Sequence, residues 1–316
     1  MGYKAKTGVL AIIAAILIVL FLFIDLSGNW DYALPRRIKK VLAIMLTGGA
    51  IAFATTVFQT ITNNRILTPS ILGLDSLYML IQTFVIFIFG SATLTMMNSN
   101  VNFVISVGLM ILFSGVLYKL LFKREQQNIY FLLLIGLIFG TLFQSLSSFM
   151  QVLIDPNEFQ IVQDKMFASF NHINIDLLVI ASISVFIVSV YFSRLTKYLD
   201  VLALGREQAI NLGVDYDYVV RRLLIVVAIL ISISTALVGP ITFLGLLVVN
   251  VTYEFLKTYQ HKYLILGSIF ISIIALVGGQ LIVERVFTFS TTLSVIINFI
   301  GGVYFIYLLL RENRSW

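Results

Sequence analysis

The residues best suited to bind a solute in this sequence are amides and hydroxyls inside apolar segments. One apolar run carries a polar stripe made of Gln144, Ser145, Ser148 and Gln151. Their spacing of three and four residues places them along one side of a helix. Asn298 is a similar amide in the last apolar run. Such groups either line a pathway for a polar solute or tie one helix to another, and the sequence leaves both alternatives open.

Side chains typical of enzymes and metal sites are scarce. The chain has no cysteine, which excludes disulfides, thiolate metal sites and cysteine nucleophiles. His172 and His261 are far apart and have no neighbours at ligand spacing, so no metal site is expected. An intramembrane enzyme is disfavoured, because no H-E-x-x-H motif and no Ser and His pair occur within the apolar runs. A phosphate-binding G-x-x-x-x-G-K-[ST] loop is also absent, so the chain cannot hydrolyse ATP by itself.

The elements that position these residues must form in lipid. Charged residues make up 11% of the chain, against about 25% in a soluble domain, and mean hydropathy is +1.01. Inside a bilayer only helices or closed barrels satisfy every backbone group. Continuous apolar runs such as 9–23 lack the alternation of barrel strands. The sequence therefore predicts an all-α integral membrane protein.

Apolar runs of roughly 20 residues can cross the hydrocarbon core as helices. Ten such runs are expected, forming a single transmembrane domain over 1–316: 7–25, 41–61, 71–90, 101–121, 129–154, 176–193, 219–238, 241–256, 263–283 and 292–310. The first run resembles a signal peptide, but it is long and lacks an A-x-A-like cleavage site, so a retained helix is expected. With the N-terminus inside, 15 of 21 basic residues face the cytoplasm. The positive-inside rule then places both termini in the cytoplasm of a multi-pass cell-membrane protein.

Two interruptions of the apolar sequence are expected to break helices at membrane depth. The first break contains Pro69 and Gly73, and the second contains Gly239 and Pro240. Non-helical backbone at that depth survives only against protein or a cavity, so each break lies beside the pathway or in the packed bundle. Asp75, close to the first break, is a functional candidate because intramembrane acids are costly. Gly136 and Gly140 form a G-x-x-x-G pair typical of close helix packing.

Residues 194–217, called here the cytoplasmic segment, are too polar to cross the membrane. An amphipathic stretch bounded by Gly205 and Gly213 predicts one or two short helices outside the bilayer. Ala209 and Leu212 are expected on one helical face, small enough to seat in a partner's groove. The alternative is a loop helix that packs only on its own bundle.

This segment resembles the coupling loop of the iron-siderophore and vitamin B12 permease family of ABC importers, whose pattern is A-L-G-x-x-x-A-x-x-L-G-V. The matching positions are Ala203, Leu204, Gly205, Ala209, Leu212, Gly213 and Val214. Three further stretches resemble family elements in the same order: Gly48 to Gly73, Gly239 to Leu246, and Ile300 to Arg311. The resemblance covers nearly the whole chain, and the residues around 63–78 look most like the Gram-positive catecholate-siderophore branch.

Several positions depart from the family pattern. They are Arg65 in the first break, Val249, Asn250 and Tyr253 after the second break, and Ser290 and Thr292 in the last span. These changes leave the expected fold intact and put the cytoplasmic contact and the outer gate geometry in question.

The resemblance implies a type II ABC importer permease fold with ten helices per subunit. It implies a second permease subunit, two ATP-binding cassette subunits that hydrolyse ATP, and an extracytoplasmic substrate-binding protein. The ATPase-coupling residues would be the seven matching positions together with Arg206. Arg37, Lys40 and Arg285 would dock the binding protein, although basic residues also anchor span ends. No cofactor is expected on this chain.

The expected substrate is a ferric siderophore, because that class is frequent in the family. Vitamin B12 or haem would need a pathway of the same width. An ion-coupled secondary transporter is a weaker alternative, since such carriers show ionisable residues near the midplane and the centres of these runs have almost none. A protein that serves only as a scaffold would leave the polar stripe unexplained. The net charge of +6 is attributed to basic residues that orient the spans in the membrane, rather than to nucleic-acid binding.

Overall fold

The computed structural model describes residues 2–24, 30–90, 99–121, 129–171, 173–289 and 291–312. Within these ranges all regular secondary structure is helical, with one short 3-10 helix at Pro69–Leu72. The α-helices are α1 (Tyr3–Phe23), α2 (Trp30–Thr62), α3 (Leu74–Phe89), α4 (Ser99–Leu121), α5 (Ile129–Leu153), α6 (Pro156–Met166), α7 (Ile175–Ser193), α8 (Thr196–Leu202), α9 (Arg206–Asn211), α10 (Tyr216–Val238), α11 (Leu244–Leu256), α12 (His261–Arg285) and α13 (Leu293–Glu312).

Ten of the described helices correspond to the ten predicted runs, and the all-α prediction is confirmed. Eight of them are long and apolar enough to cross a membrane. The other two, α3 and α11, have 16 and 13 residues. At about 1.5 Å per residue they reach only about 24 and 20 Å, less than the roughly 30 Å core. Each follows a break: the 3-10 helix Pro69–Leu72 precedes α3, and residues 239–243 precede α11.

Helix α2 is longer than the sequence suggested. It begins at Trp30 rather than near residue 41 and has 33 residues, or about 50 Å. Its first turns therefore extend beyond the hydrocarbon core and carry Arg36, Arg37, Lys39 and Lys40. The apolar run marks where lipid ends, but Arg and Lys are good helix formers, so the hydrogen-bonded helix continues past it.

Helices α2 and α10 form the centre of the bundle. In the most apolar stretch of each, 72% of the residues are buried, against 22% in α1, α5 and α13 and 17% in α7. The two central helices pack on each other; α2 also contacts α11 and α12, and α10 contacts α4 and α7. The outer helices thus present broad faces to lipid or to other subunits.

The glycine pair on α5 explains how the first break fits into the bundle. A Cβ added to Gly136 would lie 2.8 Å from the Cα of Leu72, and one added to Gly140 would lie 3.2 Å from the Cα of Gly73. Real Cβ atoms do not approach backbone at the first of these distances, so α5 can pack directly on the 3-10 turn only because residue 136 is glycine. The interpretation of the pair as a close-packing motif is confirmed.

Candidate functional site

The polar stripe on α5 divides into an exposed part and a bonded part. Gln144, Ser145 and Ser148 lie on the exposed face of the helix, beside Thr141. The Ser145 hydroxyl donates to the Thr141 carbonyl at 2.8 Å, which leaves its oxygen facing outward. The neighbouring apolar residues Phe149 and Val152 are also exposed. A polar face at lipid depth needs water, a solute or another subunit against it.

Gln151 occupies the bonded part of the stripe. Its amide nitrogen donates to the Ser147 hydroxyl at 3.0 Å and approaches the Thr83 hydroxyl at 3.4 Å. Ser147 and Thr83, both buried, are 2.8 Å apart across the contact between α5 and α3. In this conformation Gln151 therefore ties two helices together, and sequence spacing alone could not separate it from the exposed residues.

Asn298 on α13 is half-buried, and its Oδ1 accepts from the backbone N–H of Phe243 at 3.4 Å. That N–H lies just before α11, where the helix has no partner of its own for it. Helix α13 packs on α11 and α12, whereas α5 packs on α3, α4 and the 3-10 turn. The two expected pathway elements thus rest on different parts of the chain.

The first break is stabilised by two buried amides. The Arg65 carbonyl accepts from the Gln59 amide at 2.7 Å and from the Asn250 amide at 2.8 Å. Asn250 lies on α11 and is buried. The sequence marked Asn250 only as a departure from the family pattern; the signal for its role was an amide within the otherwise apolar run 244–251. An unpaired carbonyl at this depth would be expensive.

Asp75 connects the two breaks. It begins the first turn of α3, directly after the first break, and its carboxylate accepts from Thr235 at the end of α10 and from Thr242 in the second break, each at 3.4 Å. Gly239 and Pro240 are buried, and a Cβ on Gly239 would lie 3.0 Å from the Cα of Ala168. Both breaks therefore lie within packed protein.

The cytoplasmic segment forms two short helices, α8 and α9, joined by Ala203 to Gly205. The expectation that Ala209 and Leu212 share a face is wrong: Ala209 is 0% exposed, whereas Leu212 is 63% exposed. Leu212 is the C-cap of α9, and its N–H still donates to the Gln208 carbonyl, but its side chain lies outside the contact that buries Ala209.

The exposed apolar side chains of this segment are Leu204, Ile210 and Leu212. Ala203, Arg206 and Gly213 are also exposed, while Gly205 and Val214 are half-buried. Gly213 has a φ of +82° and no neighbouring atom within 4 Å of an added Cβ, so its glycine is required by backbone conformation rather than by space. Arg206 lies 3.8 Å from Asp217 in an exposed pair, which contributes little to stability.

The three basic residues expected to dock a binding protein are engaged within the chain. Arg37 donates to the carbonyls of Phe21, Leu22 and Ile24 at 2.7 to 3.2 Å, and Arg285 donates to Ile24 at 3.3 Å. A cation at these last carbonyls of α1 is favourable because they carry the negative end of the helix dipole. Lys40 forms an ion pair with Glu284, in which Nζ of Lys40 lies 2.6 Å from Oε1 of Glu284. These contacts agree with the anchoring alternative.

Among the described residues no group of three or more His, Cys, Asp or Glu side chains is close enough to hold a metal ion. His261 is buried against Thr60 and Asp200, and His172 lies outside the described residues.

Comparison with known proteins places these features in context. A family model described as the FecCD transport family matches residues 9–311. The petrobactin import system permease protein YclO of Bacillus subtilis is 72% identical over 316 residues, which cover all of both chains. The petrobactin import system permease protein YclN of the same organism is 24% identical over 284 residues, 88% of this chain and 85% of that one.

The same architecture occurs in a solved inward-facing structure of a transporter assigned to the metal-chelate ABC type. Its TM-score is 0.83 at 21% identity, with 98% of this chain and 99% of that chain covered. The expected type II permease fold is therefore confirmed.

Proposed function

The chain belongs to the FecCD transport family, and from that premise we propose that it is the membrane-spanning permease subunit of an ABC importer that carries ferric petrobactin into the cytoplasm. The family assignment confirms the resemblance drawn from four stretches of sequence and the expectation of a transport protein rather than an enzyme. The observation that supports this substrate assignment is the 72% identity to YclO along the full length of both chains.

The second permease subunit in this proposal is a different chain. YclO and YclN are both named as permeases of a petrobactin import system in one organism. This chain is 72% identical to the first and 24% identical to the second, so it corresponds to one member of such a pair. The likeness supports a heterodimer of a YclO-like and a YclN-like permease.

The translocation pathway is proposed along the exposed face of α5. Gln144, Ser145 and Ser148 offer amide and hydroxyl groups to a polar chelate and have a broad exposed surface around them. Gln151 and Asn298 flank the pathway in this proposal, held by Thr83 of α3 and by the start of α11. Because α5 and α13 lie apart in one chain, a second permease is needed to enclose the solute.

We place the contact with the ATP-binding cassette subunits on the cytoplasmic segment, which transmits their ATP-driven motion to the membrane helices. Leu204, Ile210 and Leu212 offer an exposed apolar surface of the kind that seats in a groove. The remaining coupling positions, Ala203, Gly205, Arg206, Ala209, Gly213 and Val214, shape this surface or join it to the bundle. ATP is hydrolysed by two partner subunits, and the segment remains part of the same domain, since α8 packs on α2 and α12.

On the opposite side a substrate-binding protein delivers the chelate. Arg37, Lys40 and Arg285 act there by fixing the end of α1 and the start of α2, which shapes the docking surface. Both termini of this multi-pass protein lie in the cytoplasm and the protein resides in the cell membrane, as the distribution of basic residues favours.

The test is uptake of radioactive ferric petrobactin by cells that lack this gene, with a ferric hydroxamate chelate as the specificity control. The wild-type chain should restore petrobactin uptake, and Gly213→Arg should not, because an L side chain is strained at φ +82° and the change alters the ATPase contact. Gly2→Arg is the matched control: it adds the same charge at a glycine with an ordinary φ of −70° and open space. Unchanged uptake after deletion of the gene would overturn the substrate assignment.

A further inference from the structure

A buried histidine joins the cytoplasmic segment to the central helix of the bundle. His261, the first residue of α12, is 4% exposed. Its Nδ1 lies 2.6 Å from Oδ1 of Asp200 on α8, and its Nε2 lies 2.8 Å from the hydroxyl of Thr60 on α2. One side chain therefore connects three helices that are distant in sequence.

The Asp200 contact is firmer than a single surface hydrogen bond. Its Oδ1 also accepts from the backbone N–H of His261 at 2.9 Å, so Asp200 caps the start of α12 from a different helix. A carboxylate only accepts, hence the proton on Nδ1 points toward Asp200. Leu199 and Leu202, on either side of Asp200, are buried and fasten α8 to the bundle.

The Thr60 contact leads directly to the first break. Thr60 lies in the last turn of α2. The preceding residue, Gln59, donates its amide to the Arg65 carbonyl, which is also bound by Asn250 of α11. A displacement of Thr60 consequently moves the donor that fixes the backbone of the break.

From this geometry we infer that Asp200, His261 and Thr60 form a coupling relay, in which His261 is a positioning residue that transmits motion of the cytoplasmic segment to the first break. The inference rests on the proposed function, because it assumes that ATPase subunits move this segment. Rigid contact is needed at each step, and every distance in the relay is below 3.0 Å.

The experiment measures substrate transported per ATP hydrolysed by the complete importer in proteoliposomes. Asp200→Ala and Thr60→Val should lower this ratio about fivefold or more, the lower end of usual coupling between sites, while the amount of assembled complex is kept. Asp200→Asn keeps an acceptor oxygen and should restore most of the ratio. The double variant should be no worse than the worse single variant, because the two contacts act in one chain.

Ser106→Ala is the matched control. Ser106 is buried like Thr60, and its hydroxyl accepts from the Gln82 amide on a neighbouring helix at 3.0 Å, but this contact joins α4 to α3, outside the relay and the proposed pathway. Its ratio should equal that of the wild type. A ratio unchanged in Thr60→Val or Asp200→Ala, or an equal fall in Ser106→Ala, would overturn the relay.

A second readout separates failure of the relay from failure of the substrate assignment. The chain has no cysteine, so spin labels on Ile16→Cys and Leu142→Cys, both exposed on the surface of the bundle, report the distance between α1 and α5. ATP should change this distance in the wild-type background and leave it unchanged with Asp200→Ala. If the wild type imports no ferric petrobactin, the substrate assignment falls, and the label distances still decide the relay: an equal change in both backgrounds refutes it.

Discussion

Helices α2 and α5 both carry polar residues at helical spacing, yet they use them in opposite ways. On α2, the Thr56 hydroxyl lies 3.1 Å from the Ser268 hydroxyl, and the Thr60 hydroxyl lies 2.8 Å from Nε2 of His261. All four residues are buried. On α5, Gln144 and Ser148 face outward at lipid depth. A polar stripe in a membrane helix therefore forms either a contact between helices or a surface for another molecule. Burial in the folded bundle decides which.

The largest effect is expected at two buried amides, Gln59 on α2 and Asn250 on α11. Gln59→Leu or Asn250→Leu alone leaves the Arg65 carbonyl one donor, so each should cost about 1 kcal/mol. The double variant leaves the Arg65 carbonyl without either amide donor and should cost about 3 kcal/mol, which exceeds the sum of the single changes. Thermal unfolding in detergent measures the loss. Strict additivity would show that the two amides do not share one acceptor.

A smaller effect is expected where α5 itself is buried. Gly136→Ala places a Cβ 2.8 Å from the Leu72 backbone, and such overpacking should cost about 1–3 kcal/mol. Gly108→Ala on α4 is the matched control, because an added Cβ there meets no atom within 4 Å. Since alanine favours a helix over glycine, the control should be neutral or slightly stabilising. Equal melting temperatures for the two variants would refute the close contact.

Two adjacent serines on α5, Ser147 and Ser148, distinguish the buried helix contact from the exposed face most directly. Ser147→Ala removes the contacts with Thr83 and Gln151 and should lower stability by about 1 kcal/mol, with uptake per molecule reduced less than in Ser148→Leu. Ser148→Leu should leave stability within about 0.5 kcal/mol and reduce ferric petrobactin uptake about tenfold, equivalent to about 1.4 kcal/mol in the transport barrier. The same pattern in both variants would mean that the exposed face does not line the pathway.

The smallest effect is expected at the outer ion pair. Lys40→Met removes the partner of Glu284, whose Oε1 still accepts from Gln280 at 2.9 Å. Both side chains are only 15% exposed, but Glu284 keeps its donor from Gln280, so the loss of stability should be about 1 kcal/mol. It should shrink at high salt, because salt screens the exposed part of the pair. Arg36→Met, at an exposed residue stacked over the Tyr32 ring at 4.1 Å, provides the control, since no ion pair of Arg36 occurs among the described residues. Melting curves at low and high salt would distinguish the two.

Much of the site was accessible from sequence because it depends on local backbone chemistry. Proline and glycine located both breaks, the G-x-x-x-G pair located the close contact of α5, and four family-like stretches pointed to the transport family. The shared face proposed for Ala209 and Leu212 failed because spacing along a helix of six residues does not show which side chains the rest of the bundle covers: Ala209 packs inward, whereas Leu212, at the C-cap of α9, remains exposed.

The sequence by itself determined that this chain folds as membrane helices, since lipid offers no partner for an open backbone and the apolar runs have the length to cross. Only the tertiary structure decided which polar groups are satisfied. The partners that matter are remote: Asn250 reaches a carbonyl 185 residues away, and His261 reaches a hydroxyl 201 residues away. Because such pairs form only when the helices pack, spacing along one helix cannot distinguish Gln151, which binds α3, from Gln144, which faces outward.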